Sequence, residues 1–234
     1  MQVREHTRTE SVTRGFLAPA PSVAKDSRPD ESFLAKVLQM MGTAINYRRD
    51  EEIFGEGEPS EYTYLVVSGA VRTYKLLCDG RRQIAAFCLP GDIFGLDVEP
   101  NHAFTAEAVQ DSRIIVTKRS AILALAHRDS EFAGEMWHAA ATDLTRAHEQ
   151  LLLLGRKNAQ ERVAAFLLEM AKRTSSNGSV DLPMSRQDIA DYLGLTIETV
   201  SRTLSHMEHD ATIALPKSRH IELCDRGTLN RLNS

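Results

Sequence analysis

The chain has 234 residues, 42% of them hydrophobic and 6% aromatic, and a formal net charge of −4. That is enough apolar material for one or two packed domains, and the mild acidic excess argues against binding nucleic acid through bulk charge. Three cysteines without paired spacing exclude a disulfide framework and fit a reducing compartment, while the absence of a membrane-length apolar run and the polar first residues predict a cytoplasmic protein with no membrane attachment.

Residues 1–30 are rich in Arg, Glu, Ser, Thr and Pro, and include Leu17-Ala-Pro-Ala-Pro-Ser22. Such a composition buries too little to order itself, so a disordered arm is expected there. Ser32 to Gly42 can form one short helix. From Ile45 to about Thr117 the texture changes to short apolar runs separated by glycine turns: Phe54-Gly-Glu-Gly57, Val66-Val-Ser-Gly69, Cys78-Asp-Gly80, Leu89-Pro-Gly91 and Phe94-Gly95. Turn signals every 8–12 residues or so predict an antiparallel sandwich or barrel. Asp79-Gly80, between Thr73–Leu76 and Gln83–Phe87, marks a hairpin.

A long helix is expected from about Asp129 to Gly155. Phe132, Met136, Ala140, Leu144, Ala147, Leu151 and Leu154 recur on it at steps of three and four. So narrow a stripe suits a seam against a second copy and packing against the chain's own sheets, two readings that do not exclude each other. Gly155-Arg-Lys-Asn158 is the expected hinge. A further helix is expected over Ala159–Arg173, and Thr174–Ser179 is read as a loop.

Next comes Ser185-Arg-Gln-Asp-Ile-Ala-Asp-Tyr-Leu-Gly-Leu-Thr-Ile-Glu-Thr-Val-Ser-Arg-Thr-Leu204. Ser185 can cap a first helix, with Asp188 at the capping-box position, and Thr196 can cap a second. Gly194 suits the tight turn between them. Val200, Leu204 and Met207 form one stripe of the second helix, facing Ile189, Ala190 and Leu193 of the first. Glu198, Ser201, Arg202 and Ser205 form another stripe, which faces outward. This is the helix-turn-helix pattern, whose second helix enters the DNA major groove. Arg pairs with guanine, Glu accepts from cytosine and Ser adapts, so Glu198, Ser201 and Arg202 are the candidate base readers. Ser185, Thr196, Thr199 and Ser205 are candidates for the DNA backbone. Beyond this, Thr212–Leu215 and His220–Leu223 flank Pro216-Lys-Ser-Arg219, a hairpin with a basic tip. Lys217 and Arg219 there suit phosphate contact. Residues 156–234 carry 11 basic and 10 acidic side chains, a balance of +1 that leaves −5 on the rest. Attraction to phosphates must therefore come from local placement, and non-specific affinity should be weak and salt-sensitive.

Gly194-Leu-Thr-Ile-Glu-Thr-Val-Ser-Arg202 resembles the recognition segment of the cAMP-receptor/FNR superfamily of bacterial transcription regulators. Glu-Thr-Val-Ser-Arg with Ile197 ahead of it is similar to the FNR/FixK branch. The resemblance extends from about Ile45 to the C-terminus. It implies an α+β chain with an arm at 1–30, a β-roll (jelly-roll, cyclic-nucleotide-binding-like) domain at 31–127, a dimerisation helix at 128–155 and a winged helix-turn-helix domain at 156–234. It also implies a homodimer on double-stranded DNA at a TTGA…TCAA inverted repeat, acting mainly as an activator. The seven stripe residues would then be the dimer interface. The hairpin residues Lys75, Asp79, Gly80 and Arg81 would touch RNA polymerase. The family often has glycine before the first wing strand; here the run is Glu208-His-Asp-Ala-Thr212, so a different approach to the wing is expected.

The superfamily's ligands can be weighed against the residues present. Where cAMP-binding relatives carry Gly-Glu-Leu and Arg-Ser/Thr-Ala, this chain reads Gly95-Leu-Asp97 and Phe104-Thr-Ala106. The phosphate-pairing Arg is missing, and a buried unpaired phosphate is costly. An iron–sulfur cluster needs four thiolates; the arm has none, and Ile115 stands at the central position. His102, His127, His138 and His148 are haem ligands only in principle, and His206 and His209 lie beside the recognition helix. Cys78 and Cys88 form a conceivable thiol pair across the hairpin, and oxidation of Cys224 near the wing would disturb DNA contact. The expectation is a regulator with no cofactor and no metal, neither an enzyme nor attached to a membrane. A ligand-, haem- or redox-gated regulator is the alternative. A cupin-like metalloenzyme is a third reading, though the strands lack a His-X-His ligand set.

Overall fold

The computed structural model describes residues 33–174 and 178–233. The expected arm at 1–30 lies outside them, as does part of the loop expected at 174–179. Helix α1 (Phe33–Met41) buries Leu34, Ala35 and Leu38, one face of a helix. Eight strands follow: β1 (Thr43–Tyr47), β2 (Glu52–Phe54), β3 (Tyr62–Ser68), β4 (Val71–Leu76), β5 (Arg82–Cys88), β6 (Ile93–Phe94), β7 (Thr105–Ala108) and β8 (Ser112–Lys118). They form two antiparallel four-stranded sheets in the orders β1-β8-β3-β6 and β2-β7-β4-β5, the expected jelly roll. Alternate residues point inward and make the core of Phe54, Tyr64, Val66, Val71, Phe94, Ala106 and Ile114. The ring of Tyr64 lies 5.0 Å from that of Phe54 and 5.1 Å from that of Phe94. Gly69 turns β3 into β4 at φ +91°, and a Cβ there would meet the Ser112 hydroxyl at 2.2 Å. Both the backbone angle and the close approach require glycine.

The β4–β5 hairpin has register Leu76↔Arg82, so Leu77–Arg81 form its loop. Gly80 takes φ +83° there. Cys78 sits in that loop, whereas Cys88 pairs with Val71 at the far end of β5. A strand of seven residues separates them by about 20 Å, and a disulfide needs Cα atoms within about 7 Å. The thiol pair is thus excluded in this fold.

Helix α2 (Arg119–Ala126) leads to α3 (Ser130–Arg156), 27 residues and about 40 Å long. Asp129 caps α3, accepting from the amides of Glu131 and Phe132, both at 3.0 Å. After Arg156 the backbone leaves helical space at Lys157. Asn158 then opens α4 (Ala159–Arg173) with a full capping box to Glu161. This break falls at the expected hinge, and Arg162 straps it. Its guanidinium donates to the carbonyls of Lys157 (2.8 Å) and Leu154 (3.0 Å).

The remaining elements are β9 (Ser179–Asp181), α5 (Arg186–Leu193), α6 (Ile197–His209), β10 (Ile213–Lys217), β11 (His220–Leu223) and α7 (Arg226–Asn233). The wing is a three-stranded sheet, β10-β11-β9, rather than a two-stranded hairpin. Its third strand begins at a residue expected to be loop and pairs Val180 with Ile221. Three residues are too short a run to carry a strand signal of their own; the pairing partner makes them a strand.

The missing wing glycine has a specific outcome. Ala211 takes its place at φ +54°. The amides of Ala211 and Thr212 donate to the carbonyls of Glu208 and Met207, the Schellman pattern that normally ends on glycine. The bend is kept and an alanine is held in left-handed space, a conformation costing roughly 1–2 kcal/mol for a residue with a Cβ. Ala211→Gly is expected to stabilise the protein by about 1 kcal/mol, less the chain entropy glycine adds to the unfolded state. Thermal unfolding by circular dichroism checks this; a lower midpoint in the variant would show that the bend is not strained.

Candidate nucleic-acid interface

The two-helix unit is assembled as its residues dictate. The Ser185 hydroxyl accepts from the Asp188 amide at 3.1 Å, and the Asp188 carboxylate accepts from the Ser185 amide at 3.0 Å. Gly194 ends α5 at φ +62°, and the Leu195 amide donates to the Ala190 carbonyl at 3.0 Å. Thr196 caps α6 by accepting from the Thr199 amide at 3.2 Å. Val200, Leu204 and Met207 are buried against Ile189, Ala190 and Leu193. That packing turns the opposite stripe outward: Glu198, Arg202 and Ser205 are exposed and Ser201 is half-buried.

The outward stripe has a defined charge state. The Glu198 carboxyl is held below the usual carboxylate range by its own backbone amide and the Thr196 hydroxyl, with Arg202 one turn on adding attraction. Glu198 is therefore an ionised acceptor at the positive end of the α6 dipole. His206 and His209 flank Asp210 further along and are exposed. Lys217 and Arg219 are exposed on the wing, and one guanidinium nitrogen of Arg219 donates to the Pro183 carbonyl at 3.0 Å. Thr199 shares a hydrogen bond with Thr196 at 3.1 Å. Ser185 departs from expectation. Its hydroxyl is engaged by Asp188 on both sides, as donor at 2.7 Å and as acceptor, so it is occupied within the protein rather than offered to a phosphate.

The stripe on α3 splits into two faces. Phe132 is fully buried among Leu34, Leu38, Leu65, Ile115 and Ile122 of its own chain, which removes it from a seam. Met136 packs on the same cluster, and Leu154 packs on the core of the C-terminal part. Leu144 and Leu151 remain exposed, and Trp137, the chain's one tryptophan, joins them at 77% exposure. Ala140 and Ala147 are exposed to the same side of the division, outside the chain's own core. Trp137, Leu144 and Leu151 stand seven residues apart. That heptad signal was present in the sequence but was overrun by the longer stripe through Phe132.

At the hairpin, Lys75 pairs with Glu56 at 3.1 Å and lies over the Phe104 ring. Asp79 pairs with Arg81 at 2.7 Å. Gly80 and Arg81 also line a crevice whose other wall is Gly194 to Thr199, so the hairpin tip stands beside the helix-turn-helix.

A cavity of about 320 Å³ lies between the β-roll, α3 and α4. Gly95, Leu96, Asp97 and Phe104 line it, so the positions weighed for cAMP do converge. Their chemistry does not fit a cyclic phosphate. The lining arginines, Arg146 and Arg173, both pair with Asp92, the first at 3.0 Å. Asp97, Asp143 and Glu169 add negative charge, and burial pushes the Asp143 carboxyl up. His102 is buried beside this region, stacked on Phe54 at 3.6 Å, with Nδ1 on Asp97 at 2.8 Å. His127, His138 and His148 lie on separate turns and do not converge on it. Burial also pushes the Cys88 thiol up, away from thiolate reactivity, while Cys78 and Cys224 are exposed. Among the described residues no three His, Cys, Asp or Glu side chains converge in a metal-binding group. Among them, too, no helix is long and apolar enough to cross a membrane.

A jelly roll joined by a long helix to a winged helix-turn-helix defines a class of DNA-binding transcription regulator. Residues 161–232 match the Crp-like helix-turn-helix domain, and residues 44–129 match the cyclic nucleotide-binding domain. The chain is 49% identical to the nitrogen fixation regulation protein FixK of Azorhizobium caulinodans, over 94% of each chain. It is 39% identical to the transcriptional activatory protein AadR of Rhodopseudomonas palustris, over 76% of each. The structure of FixK2 from Bradyrhizobium japonicum superposes with a TM-score of 0.80 at 51% identity, covering 83% of this chain and 98% of that one. The chain belongs to the FixK-type transcription regulators of the CRP/FNR family. These relatives are regulators, which sets the metalloenzyme reading aside.

Proposed function

We propose that this regulator acts in the cytoplasm as a homodimer on a TTGA…TCAA-type inverted repeat, mainly as an activator, without a cyclic nucleotide. The observation that carries this reading is the outward stripe of α6, where ionised Glu198 and exposed Arg202 stand on a helix capped at its start and buried on its other side. Glu198, Ser201 and Arg202 read bases; Thr196, Thr199, Ser205, Lys217 and Arg219 hold the backbone. The family's half-site supplies the guanine that Arg202 suits. The cavity's paired arginines support activity without a cyclic phosphate. Selection of binding sites from random DNA tests the reading. It should enrich an inverted TTGA repeat equally with and without cAMP. Enrichment of an unrelated motif, or dependence on cAMP, would refute it.

The β4–β5 hairpin is the proposed polymerase contact, through Lys75, Asp79, Gly80 and Arg81. Asp79→Ala and Arg81→Ala are expected to lower transcription severalfold in a purified system while leaving operator affinity within about twofold, as surface changes outside an interface do. Equal losses of binding and transcription would reassign the tip to DNA.

A further inference from the structure

The face of α5 turned away from α6 is buried on the chain's own β-roll. Arg82 on β5 donates to Asp188 at 2.7 Å and to Asp191 at 2.8 Å, both on α5. Arg72 on β4 donates to Asp188 at 3.1 Å, and its other nitrogen pairs with Asp50 and Glu107. The Arg72 and Asp188 side chains are only 8% and 5% exposed. The other end of α5 is held as well. The Tyr192 carbonyl accepts from Gln83 at 3.3 Å and from Gln150 of α3 at 2.8 Å, and the Leu193 carbonyl accepts from Arg162 at 2.8 Å. Between these grips, Phe87 of β5 packs on Tyr192 and Phe166.

These contacts matter because of the break at Lys157–Asn158. A helix interrupted there does not by itself set the angle between α3 and the DNA-binding part. Ring packing tolerates sliding, whereas charge pairs fix register, the role best attested for buried ion pairs. Burial of Asp188 disfavours its charge, but the Ser185 hydroxyl and amide, with Arg72 and Arg82, outweigh that and hold it below the usual range. The pairing is therefore complete at neutral pH and is lost only as acid reaches that depressed value.

We propose that Arg82, backed by Arg72, is a positioning residue for operator recognition. The two arginines clasp α5, and with it α6, at one angle to the β-roll and to α3, so that a dimer reads its half-sites at one spacing without an effector. The base-reading stripe of α6 is not part of the clasp. This inference rests on the dimeric, operator-binding reading above.

The test uses the full-length chain and operators whose half-sites are moved closer or apart by one and two base pairs, each step also rotating one half-site about 34–36° around the DNA axis. Wild type should bind one spacing strongly. Arg82→Gln should keep its base preference within a half-site yet lose about tenfold in spacing preference, as removing one member of a coupled network does. Asp191→Asn should lose less, since Arg82 keeps Asp188; combined with Arg82→Gln it should add little. Arg82→Lys should lie between. Unchanged spacing preference in Arg82→Gln overturns the proposal, as does tighter binding to the preferred operator, which would make the clasp inhibitory. Amide exchange of α5 in the DNA-free protein separates the two readings. If wild type selects no operator but Arg82→Gln speeds exchange over 186–193, the operator reading fails and the clasp stands. If exchange is unchanged, the clasp fails too.

Discussion

Leu144→Glu and Leu151→Glu are each expected to leave the protein monomeric by light scattering and without measurable operator binding. Both leucines are largely exposed on the single chain, at 57% and 69%. They are one and two heptads after Trp137, on a helix whose buried apolar residues, Phe132 and Leu153, are already satisfied within the chain, while Leu152 is exposed beside Leu151 at 62%. Trp137, Leu144 and Leu151 share one heptad position, and the exposed Ala140 and Ala147, three residues after the first two, fill the other, so together they make the a/d pattern of a two-stranded seam. A carboxylate in that seam loses its water without gaining a partner, at a cost of several kcal/mol in each protomer. A monomer presents one recognition helix, so the second half-site's contribution goes as well. Circular dichroism should show both variants folded, because neither leucine belongs to the chain's own core. Trp137→Ala should weaken the dimer less, since it removes area without burying charge. If both glutamate variants remain dimers, the interface lies elsewhere.

Arg202→Ala is the second large effect, and it concerns which DNA is bound. It should cost roughly 1–3 kcal/mol per half-site and relax the preference at the G·C pair, because a bidentate pair to guanine cannot be replaced by water. Lys217→Ala, on the wing, should weaken all sequences alike and lower the salt slope by about one. The contrast is the test. Site selection with the Arg202→Ala protein should return a motif degenerate at the guanine, while the Lys217→Ala protein returns the wild-type motif. If Arg202→Ala enriches the wild-type motif with its G·C preference intact, Arg202 is a backbone clamp and Glu198 and Ser201 alone read bases.

The sequence by itself determined what local chemistry controls. The caps at Ser185 and Thr196, the glycine at 194, the buried stripe of Val200, Leu204 and Met207 and the jelly roll's turn glycines were all legible. Each depends on residues within a few positions of one another, so spacing alone reveals them. The outward face of α6 is settled by exclusion, because burying one stripe leaves the other in water. Only the tertiary structure decided how the long helix divides its apolar residues between the chain's own core and the outside. Phe132 and Trp137 are both large and apolar, and what separates them is whether α1 and the sheet reach that face. The same holds for β9, which is a strand because β11 lies beside it. It holds most for the arginine clasp, whose partners are more than 100 residues apart. No period or motif links Arg72 or Arg82 to Asp188, because charge pairing across a domain boundary leaves no local pattern; it exists only once the helix break and the Phe87–Tyr192 packing bring the two surfaces together.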